Sequence, residues 1–465
     1  MLLHIEGGPS KVFSTAMTAL IFICLAAFLW LIWLLRKDRV SLGLPIAYLY
    51  SLLLIHVPGA FAHIVGGDFL AHTDLIEIGM RFTALGSLCF VAGVWWARSR
   101  SSFAIMPIRR DVDRNQFRWF CVVGGWCLIY GLSPLYQIPS IGAAVEKGGG
   151  IWMLGVMLGL RAACQRRDLK RIAIWLGLLL VYPVLMLLLG GFLSYGSAAI
   201  IIVCALLTIS TRSHWRVVVG IALFSFLCLS IFVNYFQHRS DIRDQVWGGA
   251  PLEARIDSVT DTVRGFKWFD PNDQKHLIAL DERLNQNYFV GLAARRIQLG
   301  QAHYLEGYSV WQGLLSLVPR VFWPEKPVFA GSPQIVSKMT GLHLSPKTSF
   351  GVGNVMEFQI NFGVPGVVIG FVVLGWLIGT LDLKAAVAEA RGDLGGTILF
   401  FLPCVALIQP NGSIVELTGG SAAALVAAYG WNWAWKHWVA HRASSRTRYS
   451  HPDEAVLTAS QLKID

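Results

Sequence analysis

The chain has 465 residues, of which 55% are hydrophobic and only 14% are charged, and its formal net charge is +11. Soluble domains carry about 25% charged residues, so this composition excludes a soluble multi-domain enzyme. The positive charge does not indicate a nucleic-acid partner, because many basic residues lie in short stretches beside long apolar runs, where membrane insertion places them.

Eleven apolar segments follow one another along the chain, and a helix needs roughly 20 apolar residues to cross a bilayer. The predicted spans are 14–35, 40–64, 78–97, 117–137, 151–164, 172–189, 193–210, 215–236, 362–381, 395–409 and 419–438. The fifth is short enough to be re-entrant. The sequence predicts an all-α polytopic membrane protein with about 11 transmembrane helices and one long external loop that contains short amphipathic helices.

The charges between the first spans alternate in sign. The stretch 36–39 is basic, the stretch 65–77 holds acids but no lysine or arginine, and the stretch 98–118 carries six arginines. Cytoplasmic connections are enriched in lysine and arginine, so the pattern places the N-terminus outside. We expect a multi-pass protein of the bacterial inner (cytoplasmic) membrane whose active site faces the periplasm or exterior.

Four regions follow from this topology. Residues 1–236 form transmembrane helices 1–8, and residues 237–356 form the long external loop with the candidate active-site segments. Residues 357–438 form helices 9–11, and residues 439–465 form a basic cytoplasmic tail. Acids and bases nearly balance in the loop, so we expect much of its surface to be solvated.

The loop ends in two motifs, of which the first is the run 318–327. Before it, five apolar residues have the spacing of a short amphipathic helix on the membrane: Val310, Leu314, Leu315, Leu317 and Val318. Pro319 ends that helix. The rigid turn that follows presents Arg320 and Lys326 at phosphate depth, where guanidinium and ammonium groups suit phosphate oxygens. Simple contact of both side chains with lipid headgroups is the alternative.

The second motif, in the stretch 349–363, leads into the ninth predicted span. Glu357 and Asn361 are four residues apart and therefore share a helix face. A carboxylate beside apolar sequence suits a general base that takes a proton from a sugar hydroxyl. The alternative is a structural carboxylate that pairs with an external arginine.

Two further sets are candidate substrate-binding residues. Arg81 lies one turn after Glu77 near the outer end of the third span, and charges within spans are candidates for function. A plain Glu77–Arg81 ion pair would also explain it. Arg295 and Arg296, followed by His303, form a basic pair upstream of the amphipathic helix, and a solvated or headgroup-facing pair is the alternative.

The cysteines and histidines predict no metal site. All eight cysteines lie in or beside apolar runs and none lies in the long polar segment, so we expect no disulfide framework and no zinc site. No histidine–cysteine cluster has the spacing of metal ligands, and no cofactor is expected.

The run 319–327, followed by Glu357-x-x-x-Asn361-Phe-Gly363 entering a span, resembles bacterial O-antigen and exopolysaccharide repeat-unit polymerases of the Wzy type. The polytopic plan with one long external loop is similar to theirs. The motif resemblance covers residues 295–382. It implies a membrane glycosyltransferase of the GT-C type that uses an oligosaccharide on undecaprenyl pyrophosphate as donor.

The resemblance also implies roles for single residues. Arg320 and Lys326 would bind the pyrophosphate, and Glu357 would be an active-site acid or base. Many relatives carry an arginine near a mid-chain external helix end, but the equivalent stretch 194–197 has none. Either Arg81 compensates for it, or the substrate sits differently.

The expected reaction is attack of an acceptor hydroxyl on the anomeric carbon of the donor, with release of undecaprenyl pyrophosphate. The implied partners are the lipid-linked oligosaccharide, membrane lipids and a chain-length regulator. An O-antigen ligase, which uses the same donor with another acceptor, is the first alternative. A polysaccharide or lipid transporter (flippase) is the second, although the absence of an internal repeat and of charges near the midplane disfavours it.

Overall fold

The structure, a computed structural model, describes residues 11–66, 71–100, 114–138, 140–191, 194–318, 322–323, 325–326, 332–343 and 351–449. Within these ranges the chain is helical and forms no strand. The α-helices are α1 (Lys11–Asp38), α2 (Leu44–Leu54), α3 (Val57–Gly66), α4 (Thr73–Ser99), α5 (Arg114–Trp126), α6 (Ile141–Gly149), α7 (Ile151–Arg166), α8 (Leu169–Gly190), α9 (Ser194–Ser210), α10 (His214–Trp247), α11 (Leu252–Arg264), α12 (Gln274–Arg283), α13 (Asn287–Gln298), α14 (Tyr308–Ser316), α15 (Ser332–Thr340), α16 (Asn354–Arg391), α17 (Leu394–Leu407) and α18 (Ile414–Tyr449). A π-helix (Cys127–Gly131) and a 3-10 helix (Ser133–Gln137) follow α5.

Seven helical segments of the described chain are long and apolar enough to cross a bilayer. They are Thr15–Asp38, Leu44–Gly66, Thr73–Ser99, Ile141–Arg166, Leu169–Leu189, His214–Trp247 and Asn354–Arg391. The short fifth predicted span is thus extended by α6. The chain is therefore an α-helical membrane protein. Helices also occupy the four remaining predicted spans, including the shorter apolar α9 and α17, but the count of eleven crossings stays a prediction.

The centre of the bundle is the pair α4 and α16, whose contact depends on glycines. A Cβ on Gly93 would lie 2.2 Å from the carbonyl oxygen of Val372, and one on Gly375 would lie 2.2 Å from that of Phe90. Small residues let helix backbones approach closely in a membrane, where apolar side chains gain little by leaving lipid. These glycines therefore fix the seam on which the candidate site is built.

Helix α16 is interrupted at Gly363, where φ is 65° and ψ is −141°. Beyond the break, the Phe371 ring lies 5.2 Å from the Phe358 ring, and a Cβ on Gly370 would lie 2.6 Å from Phe358. In a straight helix Phe358 and Gly370 would be about 18 Å apart along the axis. The first part of α16, residues 354–362, therefore folds back along the second part and does not extend it outward.

The long segment between α10 and α16 packs against the spanning helices. The apolar face of α12 fills the gap between α3 and α10, in a cluster made of Ala62, Val233, Leu277, Leu280 and Leu284. Helix α13 lies on the start of α4, where a Cβ on Gly291 would lie 1.8 Å from the Leu75 carbonyl oxygen. We call this end of the bundle, where α3 ends and α4 begins, the loop side.

Helix α14 is the short amphipathic helix that the sequence predicts. It buries Ser309, Gln312 and Gly313 against α16 and α18, while Trp311 and Leu314 are exposed. An apolar face that points away from the protein suits a helix in contact with lipid. That contact stays a prediction.

Candidate functional site

Glu357 lies fully buried on the folded-back part of α16, at the N-terminus of α18. Its Oε2 accepts a hydrogen bond of 2.6 Å from the backbone N–H of Ile414, the first residue of α18. The neighbouring amide of Ser413 donates to the Glu416 carboxylate, which leaves Ile414 to Glu357. Free N–H groups and the helix dipole stabilise a negative charge at this position.

Asn361 fixes a small polar group around Glu357. Its Nδ2 donates to the Ser309 hydroxyl at 2.8 Å and to the backbone carbonyl of Glu357 at 2.7 Å, which leaves its Oδ1 as an acceptor. Glu357 Oε1 and Asn361 Oδ1 are both buried without a hydrogen-bond partner among the described residues. The group thus offers two oxygen acceptors, which can receive protons from hydroxyl groups.

Among the described residues, no lysine or arginine forms an ion pair with Glu357. The partner of this carboxylate is a helix N-terminus. The sequence could not indicate it, because Ile414 is 57 residues further along the chain.

The first motif lies only partly in the described chain, and Arg320 lies outside the described residues. Lys326 is buried, and its Nζ donates to the carbonyl oxygens of Ser316 at 3.0 Å and Val318 at 2.9 Å. These carbonyls end α14, where a cation is favourable. Lys326 therefore closes the C-terminus of α14 in this structure.

The other predicted residues belong to α4, to α13 and to the stretch after α13. Arg81 forms an ion pair with the buried Glu77, and 67% of the Arg81 side chain is exposed. Arg295 lies 3.9 Å from Asp74, and Arg296 is half-buried. His303 is exposed. Arg81 and Arg295 thus each have an acid of α4 as a partner.

A basic cluster that the sequence analysis did not single out lies at the end of α10. We call Arg239, Arg243 and Arg283 the arginine cluster. All three are half-buried; Arg239 stacks over the ring of Phe236 at 5.1 Å and Arg243 over that of Trp247 at 5.4 Å. Burial lowers the pKa of Arg283, and the positive charges of Arg239 and Arg243 lower it further.

The arginine cluster is not fully paired with acids in the described chain. Neither Arg239 nor Arg283 has a carboxylate within ion-pairing distance among the residues described, although Glu282 is near enough to raise the pKa of Arg283 in part. Like charges four residues apart on a helix repel, and desolvation adds to that cost. A bound anion would offset both the repulsion between the arginines and the cost of their desolvation.

The arginine cluster lies just beyond the apolar run of α10, which ends at Val233. Arg239 and Arg243 follow Asn234 by about 7 Å and about 13 Å of helix rise. The polar headgroup layer of a bilayer is about 5 to 7 Å thick on each side. If α10 crosses the membrane, Arg239 therefore lies at headgroup level and Arg243 about one turn above it.

The cluster and Glu357 are connected through the start of α13. Gln286, three residues after Arg283, contacts Gly353, the residue that precedes α16. Both sites therefore belong to the loop side of the bundle. The sequence signal for the cluster was the pair Arg239 and Arg243 at a spacing of four directly after an apolar run.

No protein-family model, no curated protein and no solved structure matches this chain. The chemistry of the groups described above is therefore the basis for a function.

Proposed function

We propose that the protein polymerises lipid-linked oligosaccharide repeat units at the outer face of the bacterial inner membrane. The donor would be an oligosaccharide on undecaprenyl pyrophosphate, and the acceptor would be a hydroxyl of a second lipid-linked chain. The product would be a longer surface polysaccharide precursor, and undecaprenyl pyrophosphate would be released.

The arginine cluster is the observation that carries this proposal. Three half-buried guanidinium groups on the loop side, of which two have no ion pair to an acid in the described chain, favour a ligand with several negative charges. Planar guanidinium groups bind phosphate oxygens through paired hydrogen bonds. A pyrophosphate joined to an isoprenoid combines that charge with an anchor that holds it at headgroup level.

The arginine cluster also offers a candidate for the arginine that the resemblance predicts near the stretch 194–197. Gly191 ends α8 just before this stretch, its carbonyl accepts from the Tyr235 hydroxyl at 2.9 Å, and a Cβ on Gly191 would lie 3.4 Å from Arg243 Cγ. Arg243 thus lies beside the helix end at which an arginine is expected. We assign the role to Arg243 of α10 in preference to Arg81.

In the proposed reaction the acceptor hydroxyl attacks the anomeric carbon and the carbon–oxygen bond to the pyrophosphate breaks. Pyrophosphate needs no protonation to leave, and cations that stabilise the developing charge would supply most of the catalysis. Glu357 would take the hydroxyl proton, with Asn361 Oδ1 accepting a second hydroxyl of the sugar. Because Glu357 is enclosed by α14 and α18, the acceptor would reach it only after α14 moves.

The remaining predicted ligands keep secondary roles in this proposal. Arg320, Arg295, Arg296, Arg81 and His303 would contact sugar or phosphate of the substrate. Lys326 would bind phosphate only by giving up the two backbone carbonyls that it now holds.

The test compares Arg283→Gln and Arg239→Gln with a matched control, Arg264→Gln. Arg264 is exposed and paired with Asp261, outside the arginine cluster. We expect both cluster variants to lose long polymer and to accumulate lipid-linked single repeat units, while the control keeps the normal length distribution. Unchanged polymer in both cluster variants, at equal membrane levels, would refute the proposed role. Long undelivered chains in a deletion strain would indicate the ligase.

The transporter alternative is favoured by one observation, the broken α16. Helices interrupted near the middle of a membrane, with buried polar side chains at the break, are typical of transport sites. Glu357 and Asn361 are buried polar side chains beside such a break, on the loop side of the bundle. Lipid-linked single units trapped on the cytoplasmic side of a deletion strain would indicate a transporter, and units on the outer side would indicate the polymerase.

A further inference from the structure

Helix α11 carries a stripe of apolar side chains that the described chain leaves largely exposed. Leu252, Ile256, Val259 and Val263 follow one another at spacings of four and three residues, so they lie along one narrow side of the helix. Leu252 is 55% exposed, Ile256 44% and Val263 67%, and the helix has no buried residue. A stripe of this kind needs an apolar partner, because its exposure to water is unfavourable.

The rest of α11 shows which way the stripe faces. The exposed acids Glu253, Asp257 and Asp261 occupy another side of the helix, about 130° from the stripe. Arg255 fastens α11 to its neighbours, because its guanidinium donates to the carbonyls of Ala250 at 2.8 Å and Leu188 at 3.3 Å. Leu188 is near the end of α8. The helix is thus held against α8 and α10, with separate apolar and acidic sides open.

The chain after α11 descends along α10 into its apolar run. The backbone of Lys267 is paired with the Asn234 side chain by two hydrogen bonds of 2.7 and 2.9 Å, and the Phe269 amide donates to the Ser230 hydroxyl at 3.0 Å. The ring of Trp268 stacks on that of Phe226 at 5.6 Å with an angle of 11°. Trp268 therefore reaches the level of the apolar residues that make α10 long enough to span.

The apolar surface of this segment is continuous with the outer surface of α10. Trp268 is 60% exposed beside Phe226, and Leu223, Leu227 and Ile231 of α10 are exposed as well. These α10 residues belong to a candidate span and have to face lipid or another protein. A loop segment that lies at the same level as these residues faces the same lipid or protein.

We propose that residues 252–269 lie at the membrane interface on the loop side, with the stripe of α11 facing lipid and Trp268 in contact with acyl chains. The occupant of the stripe is bilayer lipid. The acids of α11 remain in water, as in other interfacial amphipathic helices. This inference does not depend on the proposed enzyme activity, since it concerns only where the segment lies.

The test uses nitroxide labels at Ile256→Cys and Val263→Cys, with Asp257→Cys as the matched control on the acidic side. The background carries serine at the exposed Cys127 and Cys164. Single chains are placed in nanodiscs, and relaxation by oxygen, which concentrates in hydrocarbon, is compared with relaxation by a water-soluble nickel chelate. We expect labels 256 and 263 to gain oxygen relaxation and to lose nickel relaxation relative to label 257.

Two results would overturn the inference. Strong nickel relaxation at 256 and 263 would place the stripe in water. Weak relaxation by both reagents would show that protein covers the stripe. Weak relaxation that occurs only when a nanodisc holds several chains would indicate that a second copy of this chain covers it. Hydroxyl-radical footprinting of the unaltered chain in nanodiscs provides a test without substitutions: we expect Trp268 to escape oxidation, and strong oxidation would contradict its burial in lipid.

Discussion

Asn287 is the residue on which we base the most detailed prediction, because it joins the long segment to two spanning helices. Its Oδ1 accepts from His56 Nδ1 at 2.8 Å and from the Thr83 hydroxyl at 3.0 Å. Its Nδ2 donates to the His56 carbonyl at 2.8 Å and to Asn285 Oδ1 at 3.2 Å. Replacement by alanine removes all four bonds at the first residue of α13.

The expected loss of stability follows from the hydrogen bonds that are removed and from the polar groups that remain. Hydrogen bonds between membrane helices contribute about 0.6 kcal/mol each on average, so the four bonds contribute about 2 kcal/mol. The full penalty for unsatisfied groups would be larger, but Thr83 Oγ1 and His56 Nδ1 lie 3.1 Å apart and are able to pair with each other. We therefore expect Asn287→Ala to lower the free energy of unfolding by about 2 kcal/mol.

Equilibrium unfolding in mixed micelles of neutral detergent and SDS, followed by circular dichroism, measures this loss. Gln298→Ala, at an exposed position near the end of the same helix, is the control and is expected to change stability by less than about 0.5 kcal/mol. The double variant with Thr83→Ala should show a coupling energy of about 0.6 kcal/mol. Equal losses for Asn287→Ala and Gln298→Ala, or zero coupling to Thr83, would refute the network as an anchor.

Three other predictions concern the backbone and the buried carboxylates. Gly291→Ala is expected to lower the free energy of unfolding by about 1–3 kcal/mol, because its Cβ would lie 1.8 Å from a carbonyl oxygen. The control Gly177→Ala, which has open space around it, should not lower it. Equal unfolding midpoints for the two variants would contradict the close contact. Gly363→Ala is expected to destabilise by about 1–3 kcal/mol, because φ is 65° there, and a neutral result in the same assay would argue against the break in α16. Glu357→Gln is expected to reduce polymer formation by about 10²-fold or more, whereas Asp382→Asn should lower the unfolding midpoint and leave polymer formation unchanged; gel profiles of the polymer and unfolding curves decide both.

The sequence was sufficient for the helices because hydropathy is a local property. Each predicted span coincides with helical structure, and the short helix before Pro319 forms where its apolar spacing placed it. A Glu77–Arg81 ion pair was one of two explanations for Arg81, and the structure forms that pair. These features depend on residues that are neighbours in the chain.

The break in α16 could not be predicted in the same way. Gly363 and Pro365 within an apolar run are compatible with a mild kink as well as with a reversal of direction. Only the contacts of Phe358 with Gly370 and Phe371 distinguish the two, and these contacts require the whole bundle. Glu357 consequently lies at the N-terminus of α18, and not on the outward extension of a span.

The arginine cluster escaped sequence analysis for a related reason. Arg239 and Arg243 are visible as a pair, but Arg283 joins them only because α12 packs its apolar face between α3 and α10. The near balance of acids and bases in the long segment indicates a solvated surface when charges are counted. The count cannot show that Arg239 and Arg283 have no carboxylate within ion-pairing distance among the described residues.

Burial of a carboxylate does not by itself indicate catalysis in this protein, and the comparison of Glu357 with Asp382 makes the point. Asp382 is also fully buried, and its Oδ1 accepts from the amides of Leu42 at 3.0 Å and Leu44 at 3.1 Å, at the start of α2. Both carboxylates are thus stabilised by a helix N-terminus. They differ in their surroundings, because Glu357 shares its site with Asn361 and with the Ser309 hydroxyl of α14. If Glu357→Gln and Asp382→Asn proved equally active and equally destabilised, Glu357 would be a helix anchor, and the arginine cluster alone would have to account for catalysis.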